Sequence, residues 1–187
     1  MIIHVYGIPE YYRRFQRNIS ALESVMPEDL TPEEITVTIG ANWVDEKHYQ
    51  DFANSLMGDD ADFTVTYQAD RWFVKAGGMG YWGQLRTTWG TDKRTFDQLL
   101  ESGLNGTPIN ITYTDSSGHK IVDQEASAEA NAKLEEIIEE FNEWIWACAK
   151  RRSELTTVYN ETFNSFVSPC YDKISKNLTL DGCSMTP

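Results

Sequence analysis

The chain has 187 residues, 41% hydrophobic and 24% charged, which suits one compact domain or one with a small addition and excludes wholesale disorder. Lys plus Arg number 16 and Asp plus Glu 29, a net charge of −13. That balance argues against a general duplex binder, because neutralising phosphates needs positive charge where the nucleic acid lies, and it suits a basic partner.

In chain order, Ile2 to Tyr6 is a β-prone run, and Glu10 to Val25 has helical spacing through Tyr11, Phe15, Ile19 and Leu22, ending before Pro27. Ile35 to Ile39 alternates apolar and polar residues as a half-buried strand does, and Gly40 breaks it. Val44 to Met57 resumes helical spacing. Phe63 to Tyr67 and Arg71 to Lys75 read as a hairpin around Gln68-Ala69-Asp70. The stretch Gly77 to Gly83 is a glycine-rich loop, and Thr95 to Ser102 a short helix stopped by Gly103. A second hairpin joins Ile109–Tyr113 to Lys120–Val122 through the polar turn Asp115-Ser-Ser-Gly118. Leu134, Ile137, Ile138, Phe141, Trp144, Ile145 and Cys148 then mark one buried helix face, and Leu155, Val158, Tyr159, Phe163 and Phe166 a second. The expected fold is α+β, a small antiparallel sheet of hairpins packed with helices and ending in a long helical pair. Residues 1–34 are expected to form an N-terminal strand-and-helix extension, and 35–187 a single α+β domain whose C-terminal helical hairpin covers about 126–168.

The longest apolar runs, such as Trp144-Ile145-Trp146, fall far short of the roughly 18 residues that cross a bilayer, so no membrane partner is expected. The first residues lack a basic region, a sustained apolar region and a cleavage site, and three widely spaced cysteines fit reduced thiols, which together predict a cytoplasmic protein.

Charge falls in blocks. Residues 18–70 hold twelve acids against Lys47, and residues 97–143 hold eleven against Lys120 and Lys133, so the blocks carry −11 and −9 and the remainder +7. Glu136, Glu139, Glu140 and Glu143 share one helical face, either a solvated surface or carboxylates presented to a basic groove. Arg71, Tyr81, Trp82, Arg86, Lys93 and Arg94 combine cations with aromatic rings, the chemistry that follows a single strand by tracking phosphates and stacking bases. Trp72 and Trp89 in the same segment suit the core better. Lys150-Arg151-Arg152 adds further cations.

Evidence of catalysis is sparse. His4, His48 and His119 are scattered without the spacing of metal ligands, and Gly77-Gly78-Met79-Gly80 lacks both the Lys-Ser/Thr end of a phosphate loop and a dinucleotide fingerprint. No catalytic residue, metal or cofactor is assigned, and the chain is expected not to be an enzyme.

Gly40-Ala41-x-Trp43, Tyr49, Phe52, Trp89-Gly90-Thr91, Leu99-Leu100 and Leu104-Asn105 resemble a segment of phage and plasmid adenine-specific DNA methylase–helicase fusions. The C-terminal third resembles it more closely, through Phe141, Trp144-Ile145, Arg151-Arg152, Leu155, Tyr159-Asn160, Phe163-Asn164 and Tyr171-Asp172, closing on Gly182, Met185 and Pro187. In those fusions the segment precedes a Swi/Snf-type helicase core, and proteins that defend DNA against restriction are relatives. Here Lys173 to Leu178 replaces the family's Gly-Ser-His-Leu continuation, and the sequence carries no phosphate loop and no methylase motif. The resemblance implies an accessory module without either engine, with Met1 and the distinct first 34 residues favouring a free-standing gene. It further implies a counter-defence protein, anti-CRISPR or antirestriction, that binds and inhibits a host nuclease such as a Cas effector through acidic surfaces. The alternative is a DNA-binding accessory module of a methylase–helicase system. Oligomeric state is left open.

Overall fold

The computed structural model describes residues 26–58, 60–78 and 83–164, together with Phe15, Gln16, Ile19 and Ser20. The chain divides into two compact units, one of residues 1–30 with 160–187, the other of residues 31–159.

In the first unit, Phe15, Gln16, Ile19 and Ser20 are helical, in line with the spacing of that stretch, whereas the expected strand over Ile2 to Tyr6 lies outside the described residues. Asn160 grips the main chain of Leu30 through both ends of its amide: the Leu30 N–H donates to Oδ1 at 2.8 Å and Nδ2 donates to the Leu30 carbonyl at 2.9 Å.

The second unit is α+β. After a 3-10 turn over Pro32–Glu34 come α1 (Glu46–Met57), β1 (Ala61–Gln68), β2 (Arg71–Gly78), α2 (Gln84–Thr87), α3 (Phe96–Leu104), β3 (Thr112–Thr114), β4 (Lys120–Val122), α4 (Gln124–Ala147) and α5 (Ala149–Phe163), the last helix running on into the first unit. The strands make two separate antiparallel pairs, β1 with β2 and β3 with β4. β1 and β2 pair without a slip from Ala61↔Gly78 to Gln68↔Arg71, leaving a two-residue turn at Ala69 and Asp70. Both turn residues have positive φ, 50° and 58°, as the type I′ turn that matches strand twist requires.

A two-stranded sheet has two open edges, and here helix side chains take the place of neighbouring strands. On the β1 edge, the N–H groups of Phe63 and Tyr67 donate to Asn54 Oδ1 (2.9 Å) and Glu46 Oε1 (2.6 Å) of α1. On the β2 edge, Trp72 N–H donates to Asn105 Oδ1 (2.9 Å) and Val74 N–H to Glu101 Oε2 (3.0 Å). Two of the chain's many acids therefore have structural work.

Between these layers lies an aromatic core. Tyr49 of α1 stacks on Phe141 of α4 at 5.4 Å, Phe52 meets Phe141 edge-on at 5.3 Å, and Phe63 meets Phe96 edge-on at 5.5 Å. Each such pair adds about 0.5–1.5 kcal/mol beyond the area it buries. α4 packs on α3 and α1. Trp72 is buried, as its core reading anticipates, and its indole N–H donates to the Gly40 carbonyl at 3.0 Å.

Three expectations are corrected. Ile35, Val37 and Ile39 are buried between exposed threonines, but the segment forms no ladder with a described residue; alternation reports which side chains are buried, not the presence of a neighbouring edge. Gly103 does not stop its helix. It lies inside α3, one residue from its end, and a Cβ there would come within 2.8 Å of Leu134 Cδ1, the end of a flexible side chain that would have to shift. Ile109 and Ile111 precede β3: their N–H groups bond Asn131 Oδ1 (3.3 Å) and Ser127 Oγ (2.9 Å) of α4.

The chain does end its described part with two consecutive helices, and residues 165–168 of the expected hairpin lie outside the described residues. The break between the helices is one extended residue, Cys148 (φ −91°, ψ 123°). Among the described residues, no helix is long and apolar enough to cross a membrane.

Candidate functional site

Asp123 starts α4 by accepting the Ala126 N–H at 3.1 Å, and the next 24 residues sort by a 3.6-residue period. Ser127, Ala130, Leu134, Ile137, Phe141 and Ile145 are buried. The other side carries Glu125, Glu129, Glu135, Glu136, Glu139, Glu140 and Glu143, all exposed. Lys133 is the helix's one cation, and it pairs with Glu136. Like charges four apart oppose a helix by about 0.2–0.5 kcal/mol per pair, whereas burying an Ile or Phe contributes about 1.5–3 kcal/mol, so the core holds the carboxylates in place against their repulsion. Glu136, Glu139, Glu140 and Glu143 thus share one exposed face.

The segment from Gly83 to Thr95, made of α2 and the loop after it, carries three of the cations singled out in the sequence. Arg86 Nη1 donates to the Asp92 carbonyl at 3.1 Å. The buried Thr91 closes the turn beyond it: its N–H donates to the Arg94 carbonyl at 2.7 Å and its Oγ1 accepts the Arg94 N–H at 3.0 Å. Arg86 on α2 is thus tied to the turn that carries Lys93 and Arg94. Arg71 stands apart, exposed beside the β1–β2 turn, and Tyr81 and Trp82 lie outside the described residues.

Arg151 and Arg152 are occupied otherwise than expected. The Arg151 guanidinium lies 3.4 Å from the Trp144 ring centroid and donates to the carbonyls of Ile145 (2.9 Å) and Trp144. Arg152 donates to the Trp146 carbonyl at 2.8 Å through Nη2 and 3.1 Å through Nε. The C-terminal carbonyls of α4 lack helical partners, and these two side chains supply them. Burial lowers the Arg151 pKa, and the neighbouring Cys148 and Asp51 oppose that shift.

Two clefts of the same unit escape a linear reading, because their walls come from segments far apart in sequence. One, of about 490 Å³, is lined by Trp43, Tyr67, Trp72 and Val158 with Asp45, Glu46, His48 and Glu154. The other, of about 300 Å³, shares Asp45, His48 and Glu154 and adds Lys47, Cys148, Lys150 and Arg151. Cys148 is exposed at the start of α5, where the N–H groups of Arg151 and Lys150 stabilise its thiolate and lower its pKa. Among the described residues, no group of three or more His, Cys, Asp or Glu side chains could hold a metal ion.

Several of the described residues behind the methylase–helicase resemblance serve packing. Gly40 has φ +83°, and a Cβ there would collide with the Leu104 carbonyl. The Tyr49 hydroxyl donates to the Ala41 carbonyl at 3.1 Å, and Asn105 holds β2. No curated protein and no solved structure matches the chain. A family model does match, over residues 38–165, which takes in α1 to α5 and β1 to β4. The chain belongs to the family described as a domain of unknown function (DUF8437).

Proposed function

We propose that this is a non-catalytic counter-defence protein of mobile elements, acting in the host cytoplasm, where it binds a nuclease and blocks its nucleic-acid channel. The observation that supports this reading most is the exposed face of α4. From Glu125 to Glu143 the helix rises about 27 Å at about 1.5 Å per residue, so its seven glutamates stand on average about 4.5 Å apart along the axis, most densely from Glu135 to Glu143. One strand of DNA carries a phosphate per about 3.4 Å. A rigid row of anions of comparable linear charge density suits a channel lined by Lys and Arg, and association would release the counterions of both surfaces. Cas9-type effectors hold their heteroduplex in such a channel and are the first partner to test; restriction nucleases are the second.

The test is capture at moderate salt by a guide-loaded Cas9-type nuclease and by a panel of restriction nucleases, with labelled duplex and single-stranded DNA in parallel. Capture of a nuclease, lost on changing Glu136, Glu139 and Glu140 to Lys, supports the proposal. Absence of capture and of inhibition across the panel overturns it.

A second reading is favoured by the segment that carries Arg86, Lys93 and Arg94: a DNA-binding accessory module whose acidic face stays in solvent. Capture of DNA alone, weakened by Arg86→Glu or Arg94→Glu and by salt, would select it.

A further inference from the structure

We propose that the larger cleft, between the start of α1 and the middle of α5, is a binding site for a guanidinium group, the arginine side chain of a partner protein. Three observations carry it. The cleft is lined by the part-exposed Trp43 and Tyr67 and the buried Trp72, and by three carboxylates, Asp45, Glu46 and Glu154, with no Lys or Arg in its lining. None of those carboxylates is in an ion pair with a described residue. Asp45 and Glu46 each commit one oxygen to a main-chain N–H, that of Lys47 (2.8 Å) and that of Tyr67 (2.6 Å), which fixes their orientation; their second oxygens accept nothing from the described residues.

The third observation is His48. It is only 9% exposed, it lines this cleft, and its imidazole makes no hydrogen bond with a described residue. A buried polar group left unpaired is costly, and a donor entering the cleft would relieve it. A planar cation with five N–H donors satisfies all three features at once: it stacks on indole, takes carboxylates side by side and donates to imidazole, which an ammonium does less well. The chain itself contains such a pairing where Arg151 lies on Trp144. The nearby cations Lys47, Lys150 and Arg151 line the adjoining cleft instead. This inference is independent of the α4 face, which belongs to another helix and has its own variants.

The test uses the full chain and short blocked peptides that differ only in a central arginine, lysine or citrulline, followed by the Trp43 indole N–H signal in NMR. Saturable binding of the arginine peptide is expected in the millimolar range, at least about five-fold weaker for lysine and absent for citrulline. Glu154→Gln, on an exposed position, and Glu46→Gln, which keeps an acceptor for Tyr67, should each weaken it about five-fold or more, the loss of one charge-assisted contact. No saturable binding, equal binding of lysine or citrulline, or binding unchanged by both variants overturns the proposal.

Discussion

Asn105 and Trp72 are joined by a reciprocal pair of hydrogen bonds: the Trp72 N–H donates to Asn105 Oδ1 and Asn105 Nδ2 donates to the Trp72 carbonyl, each at 2.9 Å. One side-chain amide thus copies what a third strand would offer to β2. Asn105→Ala should cost about 2–4 kcal/mol, since two partly buried backbone groups lose their partners. Asn105→Asp keeps the acceptor but not the donor and should still cost more than 1 kcal/mol, roughly. Urea unfolding of both variants checks the order; an Ala variant as stable as the parent would mean that water replaces the amide.

The turn at Ala69 and Asp70 places two residues with side chains in the left-handed region. An L-residue there loses roughly 1–2 kcal/mol, which glycine avoids and asparagine reduces. Ala69→Gly and Ala69→Asn should each raise stability by about 1 kcal/mol, and Ala69→Val should lower it. Thermal unfolding of the three variants reads the sign directly.

Tyr49 is fully buried, and burial pushes its hydroxyl well above the ordinary phenol range. The folded pKa is raised, so this residue's contribution is whole below the unfolded value of 10.0 and is lost as pH rises above it. Tyr49→Phe should be less stable by about 1 kcal/mol at neutral pH, through the lost bond to Ala41, and that deficit should close within roughly one pH unit above 10. Urea midpoints at neutral and alkaline pH, compared between the two proteins, measure it.

How much of this was legible in the sequence depended on whether a signal was local. The alternation through Phe63, Val65, Trp72 and Val74 specifies the first hairpin and its inward face, and the period of Leu134, Ile137, Phe141 and Ile145 specifies α4 together with its glutamate face. Ile35 to Ile39 misled because alternation shows which side chains are buried and not which edge lies beside them, and Gly103 misled because the helix runs one residue past it, to Leu104. The break at Cys148 has no Gly or Pro to announce it; it rests on Arg151 and Arg152 reaching back to carbonyls. The larger cleft was invisible because Trp43, Tyr67 and Glu154 meet only through tertiary packing.

Cys148 should behave as an activated thiol. Arg151 and Lys150 lower its folded pKa through their N–H groups and charges, so the thiolate is favoured at pH values below the ordinary 9.0. The associated stability is present above that unfolded value and is lost as pH falls through the folded one. With Cys170 and Cys183 changed to Ser, the iodoacetamide rate of the folded chain should inflect at lower pH than that of the urea-unfolded chain. Coincident inflections would mean that the start of α5 does not activate the thiol.

The central claim is that the carboxylate row of α4 occupies a nuclease's basic channel. The most direct measurement is target cleavage by a guide-loaded Cas9-type nuclease, with restriction nucleases alongside, titrated with the wild-type chain and with the variant carrying Lys at Glu136, Glu139 and Glu140. The account predicts that the wild type abolishes cleavage by one of them near equimolar ratio, that added salt weakens the effect, and that the variant, equally folded, does not inhibit. Cleavage untouched at large excess across the panel, or inhibition undiminished in the variant, would contradict it.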